Sequence, residues 1–382
     1  MSLTLTKSPP LLILAKQPVS FEAQSDASAT PLRIKANITG NTDGDSVAAD
    51  GNKKASFELS DYLQALITER YKTAATPAIY SNVPKPLTFD FTEYTGSPAT
   101  EGDSLTSGTF YLLDGYVPHS RRKTLYAAYT SLLAYLVATK SYLSWWPLNT
   151  PKILLPDQKD FLNYLQLYST SPINFTIEVT LFFTDGSNTD LPAPFADITG
   201  LDYMQMVYIP TGYTQLGIGA YLAANYPNKI LDCYTVTLNS GGNLVSPVQQ
   251  YNVDNAYREN VRYLYIRNAF GFLEILRCTG KGEQTNSFKF EMVRTDGRIL
   301  PDRLNWKLDR SDTVKVNTGN MTAAQMQWLN DMDFLEAYDL IGGVLRPIVF
   351  KDLFLPVVHD TIYQYSGELE YEYAYNETTE QA

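Results

Sequence analysis

Cysteine and histidine are scarce in this chain, which has only two of each among 382 residues. Two cysteines cannot build a disulfide framework or a four-thiolate zinc site. Cys233 and Cys278 lie in separate strand-like segments, so we expect buried thiols. A single cross-strand bridge stays open as the alternative if the two Cα atoms lie within about 7 Å.

The chemistry of histidine is equally limited. His119 and His359 each lie in a proline-containing segment, and neither has a second histidine at a spacing typical of metal sites. We interpret both as structural. The sequence contains no Gly-x-Ser-x-Gly elbow and no Cys-x-x-Cys pair. The sequence therefore indicates no catalytic, cofactor-binding or metal-ligating residue. We expect a protein that is not an enzyme and carries no cofactor.

Three short segments resemble ligand-binding motifs but lack essential positions. Gly217-Ile218-Gly219 is part of a dinucleotide fingerprint, but Leu222 replaces the third small residue and we expect no strand-loop-helix context. Residues 279–282 resemble the end of a phosphate loop, but Ile275 stands where the leading glycine should be. Residues 41–45 offer oxygen ligands as calcium loops do, without the downstream glutamate. We interpret all three as turns.

Basic residues are outnumbered, since 30 Lys and Arg face 41 Asp and Glu and the net charge is −11. This balance disfavours nucleic acid as a partner. We interpret the one basic run, residues 121–123, as a solvated approach to a helix and not as a binding patch. No segment has the length of a membrane span or the pattern of a signal peptide. We therefore expect folding in the cytosol, without membrane insertion.

Aromatic residues are abundant, at 13% of the chain. They suit pleated, half-buried surfaces and protein interfaces. Because 382 residues exceed what one core usually serves, we expect several packed units. The sequence predicts a mainly β protein with two or more β-sandwich-like domains and a few short packed helices. The predicted limits are 1–150 for a β-rich domain with two helices, 151–295 for a central sandwich, and 296–382 for a C-terminal segment packed on the others.

Alternating apolar and polar residues predict the strands, and the most regular alternation runs from Phe175 to Phe183 before a turn at Gly186. Apolar residues at helical spacing from Leu125 to Val137 predict one helix, and Trp145-Trp146-Pro147 marks its expected end. Similar spacing after Ser60, a plausible N-cap, predicts a second, short helix. Thr322 and Gln325 have capping-box spacing, which predicts another helix start.

Two segments are candidates for contact with other chains. Residues 41–54 are polar and turn-rich, which indicates a long loop or a projecting hairpin tip. The last strand alternates tyrosines such as Tyr371 and Tyr373 with glutamates, and a bend is expected at Gly367. Its aromatic face and its acidic face could each meet a neighbouring chain, and head-to-tail contacts between identical chains close into a ring.

The layout of the whole chain resembles structural tail proteins of phages and prophages of Bacteroidota, in the size class near the distal end of the tail. The segments that carry this resemblance are LTLTKSP from Leu3, QPVSF from Gln17, YLYIRNAFGFLEI from Tyr263 and DTIY from Asp360. The resemblance implies β-sandwich units assembled around a tail axis, without cofactor or reaction. It implies no individual functional residue.

These observations predict a non-enzymatic component of a phage or phage-like tail, in the distal tail or baseplate, that binds copies of itself and other tail proteins within the virion. The first alternative is a receptor- or carbohydrate-binding module of a tail fibre, whose partner is a host-surface glycan. The second is a glycosidase or depolymerase, which requires two carboxylates facing each other across a cleft.

Overall fold

A computed structural model describes residues 3–28, 32–41, 44–67, 72, 74–147, 150–256, 261–294, 303–358, 364–374 and 377–380. The protein is mainly β, as predicted. Its contacts divide the chain into two compact units. Unit 1 comprises Met1–Ser144, Leu148–Asp254 and Ala269–Phe272, and unit 2 comprises Trp145–Pro147, Asn255–Asn268 and Leu273–Ala382. The three-domain organisation stays a prediction.

Unit 1 contains short strands joined by turns. They are β1 (Leu3–Lys7), β2 (Leu12–Leu14), β3 (Ser20–Ser25), β4 (Leu32–Ile38), β5 (Gly44–Ala48), β6 (Lys54–Glu58), β7 (Ala78–Ile79), β8 (Lys85–Leu87), β9 (Phe89–Thr95), β10 (Thr100–Thr106), β11 (Phe110–Leu113), β12 (Lys152–Leu154), β13 (Phe161–Leu165), β14 (Ile173–Phe183), β15 (Asn188–Asp190), β16 (Ile198–Leu201), β17 (Met206–Pro210), β18 (Leu231–Ser240), β19 (Asn243–Leu244) and β20 (Gln249–Val253). Its helices are α1 (Ser60–Leu63), α2 (His119–Ala128), α3 (Leu132–Thr139) and α4 (Ile218–Asn225), and a 3-10 turn (Gln64–Leu66) follows α1.

The first core of unit 1 is a sandwich filled by aromatic side chains. The β1-β3-β6 sheet contributes Phe21, and the β10-β9-β4-β5 sheet contributes Phe89 and Phe91. The Phe21 ring lies 4.7 Å from that of Phe89 and 5.4 Å from that of Phe91, measured between centroids. Alternation along these strands puts every second side chain into this core. A third sheet, β2-β11-β8, adds Ile13 and Leu112 to it.

The second core of unit 1 has a similar layered construction. The seven-stranded sheet follows the order β12-β20-β18-β14-β15, with β16 and β19 attached, and β13-β17-β7 form a smaller sheet. Tyr164 of β13 meets Phe175 of β14 edge to face, with centroids 5.4 Å apart. The predicted hairpin after Phe183 is confirmed, because β15 pairs with β14 across a turn in which Gly186 has a φ of +81°.

The described residues of unit 2 form a single eight-stranded sheet in which all pairings are antiparallel. The order is β22-β21-β25-β26-β27-β24-β23, and β28 also pairs with β24. The strands are β21 (Arg262–Arg267), β22 (Leu273–Cys278), β23 (Glu283–Arg294), β24 (Arg303–Asn317), β25 (Asp333–Ile341), β26 (Val344–Phe354), β27 (Glu368–Tyr373) and β28 (Glu377–Glu380), and the helix of this unit is α5 (Ala323–Asn330).

Two local predictions differ from the structure. The helix expected from Leu125 to Val137 is two helices, and the second ends at Thr139, not near residues 145–147. Tyr129 adopts an extended backbone after α2, and the hydroxyl of the extended Ser131 accepts a hydrogen bond from the Ala134 amide, which starts α3 anew. The segment 41–54 includes strand β5, which pairs with β4 as one arm of a hairpin, so a long loop is wrong for it. Within the described part of the chain, no helix is long and apolar enough to cross a bilayer.

Candidate functional site

The residues singled out in the sequence are dispersed. His119 is the exposed first residue of α2, while His359 lies outside the described residues. Both cysteines are free thiols, which decides against a bridge. Burial, with a smaller contribution from Asp339, raises the pKa of Cys278 to about 12. Its thiol therefore stays protonated at neutral pH, which is unsuited to nucleophilic chemistry.

The three near-motifs have structural roles where they are described. Residues 279–282 form the turn between β22 and β23. Gly217 has a φ of +70° and precedes α4, which follows strand β17. The expected lack of a strand-loop-helix context is therefore wrong, although the third glycine is still missing. Residues 42 and 43 of the calcium-like segment lie outside the described residues. Among the described residues, no group of three His, Cys, Asp or Glu side chains is placed to hold a metal ion.

Of the tyrosines of the last strand, Tyr371 is buried within unit 2 and Tyr373 is half-buried. Tyr371 is fully buried, and its hydroxyl donates to Asp339 Oδ2 at 2.6 Å. Tyr373 donates to the same oxygen at 3.0 Å, and Arg262 Nη1 lies 2.8 Å from it. Since β26 and β24 pair with both edges of β27, this strand has no free edge either. The prediction that its aromatic face meets a neighbour is wrong, and the predicted interruption at Gly367 is confirmed, since β27 begins at Glu368.

The opposite side of this sheet, which we name the outer face, carries charged side chains in register across β23, β24, β26 and β27. Directly paired residues lie on the same side of a sheet. The rows that the pairing produces are Phe354–Glu368–Asn317, Asp352–Glu370–Lys315–Glu283 and Val349–Glu372–Thr313.

Carboxylates outnumber ammonium groups on the outer face. Lys315 Nζ lies 3.1 Å from Glu370 Oε2, and Lys351 Nζ lies 2.6 Å from Glu372 Oε1. The bond to Glu370, together with the nearby Glu283 and Glu368, raises the pKa of Lys315. Among the described residues, Asp352 and Glu368 have no lysine or arginine within ion-pair distance, so this face presents uncompensated negative charge.

A cleft of about 310 Å³ runs along this face, and the exposed ring of Phe354 is part of its wall. Phe354 is 66% exposed. The residues that line the cleft are Lys281, Glu283, Lys315, Val316, Asn317, Asp352, Phe354, Glu368, Leu369 and Glu370.

Exposed apolar side chains concentrate in one stretch of unit 2. Leu335, Val344, Val349, Phe354 and Val357 are each more than half exposed, and only Ile230 matches them elsewhere among the described residues. Val349 and Phe354 lie on the outer face. Sequence reasoning missed this surface because β26 carries apolar residues on both sides, so alternation does not reveal which side meets water. The bulge between Phe350 and Asp352 changes the alternation once more.

No protein-family profile and no curated protein matches the sequence. Among solved structures, a calcium-stabilised adhesin with which an Antarctic bacterium binds ice is 10% identical, and the alignment covers 97% of this chain and 90% of that chain with a TM-score of 0.21. The BSP domain of a biofilm associated protein is 12% identical over 67% of this chain and 30% of that chain, with a TM-score of 0.17. At these TM-scores neither similarity supports an argument about fold or function.

Proposed function

We propose that this protein is a non-enzymatic structural subunit that acts by binding other protein chains, including copies of itself. The observation that carries the proposal is the run of five large, exposed apolar side chains between Leu335 and Val357. Large apolar side chains exposed to water are costly, and their concentration in one stretch, with Val349 and Phe354 together on the outer face, is typical of surfaces that a partner covers. The charged rows beside Val349 and Phe354 give such a surface specificity, because charge complementarity selects partners.

Light scattering of the purified chain over a wide concentration range tests self-association. We expect a mass that rises from that of the 42.9 kDa monomer to a defined oligomer. A monomer at every concentration would contradict binding between copies.

The finer proposal places this subunit in a phage or phage-like tail, in the distal tail or baseplate, assembled in the host cytoplasm. Its support is the sequence resemblance together with the layered β architecture. Quantitative mass spectrometry of purified tail-like particles from a host that carries the gene tests it. We expect the chain at a fixed, small-integer ratio to the other tail proteins, and its absence from the particles would contradict the tail assignment.

A carbohydrate-binding module is the second candidate, and the observation that favours it is the position of Phe354. An exposed ring flanked by Asp352, Glu368 and Asn317 combines a stacking surface with hydrogen-bonding groups, as sugar sites do. Reproducible glycan-array binding that Phe354→Ala abolishes would support this candidate. Release of reducing sugar from a bound polysaccharide would contradict the non-enzymatic character of either proposal.

A further inference from the structure

Helix α2 of unit 1 carries a run of positive charge at its start, where Arg122 Nε donates to the Val117 carbonyl oxygen at 3.1 Å. Arg121, Arg122 and Lys123 lie near its start, and the first turn contains no acidic residue. Cations are unfavourable at this end, because the helix dipole is positive there. Lys123 is exposed and has no ion-pair partner among the described residues. In a chain of net charge −11, this arrangement favours a function outside the helix, namely contact with an acidic surface.

An apolar cleft lies beside this basic run. Tyr126, which is 49% exposed, lines the cleft one helical turn beyond Arg122 and Lys123. The cleft has a volume of about 320 Å³. A cavity of roughly 150 Å³ is enough for a benzene ring, so the ring of a phenylalanine fits. The lining residues are Pro9, Pro10, Leu12, Ile13, Leu14, Gln17, Pro18, Val19, Tyr126, Thr130, Ser131 and Leu132.

The outer face of unit 2 has the matching features in the same spacing. Phe354 protrudes, its directly paired neighbour is Glu368, and Asp352 lies two residues before it on the same strand. Residues paired in this way, or two apart along a strand, are roughly 5 to 7 Å apart. Tyr126, which lines the cleft, lies one helical turn beyond the basic residues, or about 5.4 Å along the helix axis. The outer face thus presents an aromatic side chain next to carboxylates, and α2 presents a cleft next to cations, so the two surfaces are complementary.

We infer that the outer face of one copy binds helix α2 of a second copy, with Phe354 in the apolar cleft and with Asp352 and Glu368 facing Arg122 and Lys123. This inference rests on the proposed function, of which it specifies the self-association. The two surfaces differ, so the contact is heterologous. Repeated contacts of this type produce a ring when the rotation closes and a filament when it does not.

Charge reversal on each surface tests the contact in the full-length chain. Arg122→Glu with Lys123→Glu, and separately Asp352→Lys with Glu368→Lys, should each raise the dissociation constant of the oligomer at least about tenfold. Mixing the two double variants should restore assembly, because each then offers the charge that the other lacks. Phe354→Ala should weaken assembly without changing charge. Masses are measured by light scattering at several concentrations.

Matched controls separate this contact from general effects of charge or hydrophobicity. Lys159→Glu and Glu178→Lys reverse exposed charges of unit 1 outside α2, and Ile230→Ala removes a 68% exposed apolar side chain of unit 1 that lies outside both proposed surfaces. These variants should assemble as the wild type does. An oligomeric wild type whose mass neither charge reversal changes would overturn this contact alone. A wild type that is monomeric throughout would overturn self-association as well.

Discussion

At the scale of single residues, the polar cluster around Asp339 stands out in unit 2. Asp339 is 1% exposed, and one of its carboxylate oxygens receives the hydroxyls of Tyr371 and Tyr373 and the guanidinium of Arg262. A buried carboxylate is tolerated only when its oxygens are well satisfied. These donors come from β21 and β27, which are not adjacent in the sheet. The cluster therefore links separated strands of unit 2.

Removing the carboxylate should destabilise unit 2. Asp339→Ala leaves the Tyr371 hydroxyl buried without its acceptor and Arg262 without its counter-charge. We expect the free energy of unfolding to fall by roughly 2–3 kcal/mol, below the range for fully buried ion pairs because Arg262 is 27% exposed. All four tryptophans lie in unit 2, so urea unfolding followed by tryptophan fluorescence reports on this unit.

The control for this prediction is Lys351→Ala, which removes an exposed ion pair with Glu372 on the opposite side of the same sheet. Its effect should stay below about 1 kcal/mol, since exposed pairs contribute little. Equal losses from the two variants would show that the buried cluster contributes no more than a surface pair.

At the scale of elements, the start of α5 follows directly from local sequence. Thr322 and Gln325 form a capping box, in which the Thr322 hydroxyl accepts from the Gln325 amide at 3.3 Å and the Gln325 side chain accepts from the Thr322 amide at 2.9 Å. Both bonds use unpaired amides of the first turn. The spacing of the two residues was sufficient to predict this.

Thr322→Ala should lower the free energy of unfolding of unit 2 by about 1 kcal/mol, because it removes the acceptor of the cap. Thr322→Ser keeps the hydroxyl and should retain most of the stability. The measurement is again urea unfolding followed by tryptophan fluorescence. If alanine and serine gave the same loss, packing of the threonine methyl group would explain the effect better than capping.

Other elements depend on information that a local pattern does not contain. The strand β14 and its hairpin were predictable, because burial of one face produces a regular alternation of apolar and polar residues along the strand. The break between α2 and α3 was not, because the apolar spacing continues across residues 129–131, where Tyr129 and Ser131 adopt an extended backbone and Ser131 caps a new helix. The outer face was also beyond prediction. Its rows exist because β26, β27 and β24 pair in a particular register, and long-range pairing sets that register.

At the scale of the whole molecule, buried tyrosine hydroxyls connect stability to pH. Burial is the main cause that raises the pKa of Tyr142, Tyr164, Tyr234 and Tyr251 in unit 1 and of Tyr371 in unit 2 above the ordinary value of 10.0. Asp160 raises the pKa of Tyr234 and Tyr251 further, and Asp339 that of Tyr371. These groups stay neutral in the folded chain at pH values where the unfolded chain already ionises.

The sign of the pH dependence follows from these raised values. Below pH 10 both states keep the tyrosines neutral, so their contribution to stability is complete there. Above pH 10 the unfolded chain loses protons that the folded chain retains, and stability falls until the folded pKa is reached. Each such tyrosine should remove about 1.4 kcal/mol per pH unit in this window. Urea midpoints between pH 7 and pH 11 should therefore be nearly constant at first and then fall steeply.

Tyr251→Phe distinguishes this explanation from general alkaline damage. The variant loses the hydrogen bond to Thr211 Oγ1, 2.9 Å long, so it should be less stable at neutral pH. Above pH 10 its stability should nevertheless fall less steeply than that of the wild type, because one proton fewer is released on unfolding. Tyr168→Phe, at a position that is 46% exposed, should leave the slope unchanged. Parallel curves for wild type and Tyr251→Phe would mean that ionisation of this buried hydroxyl does not contribute to alkaline unfolding.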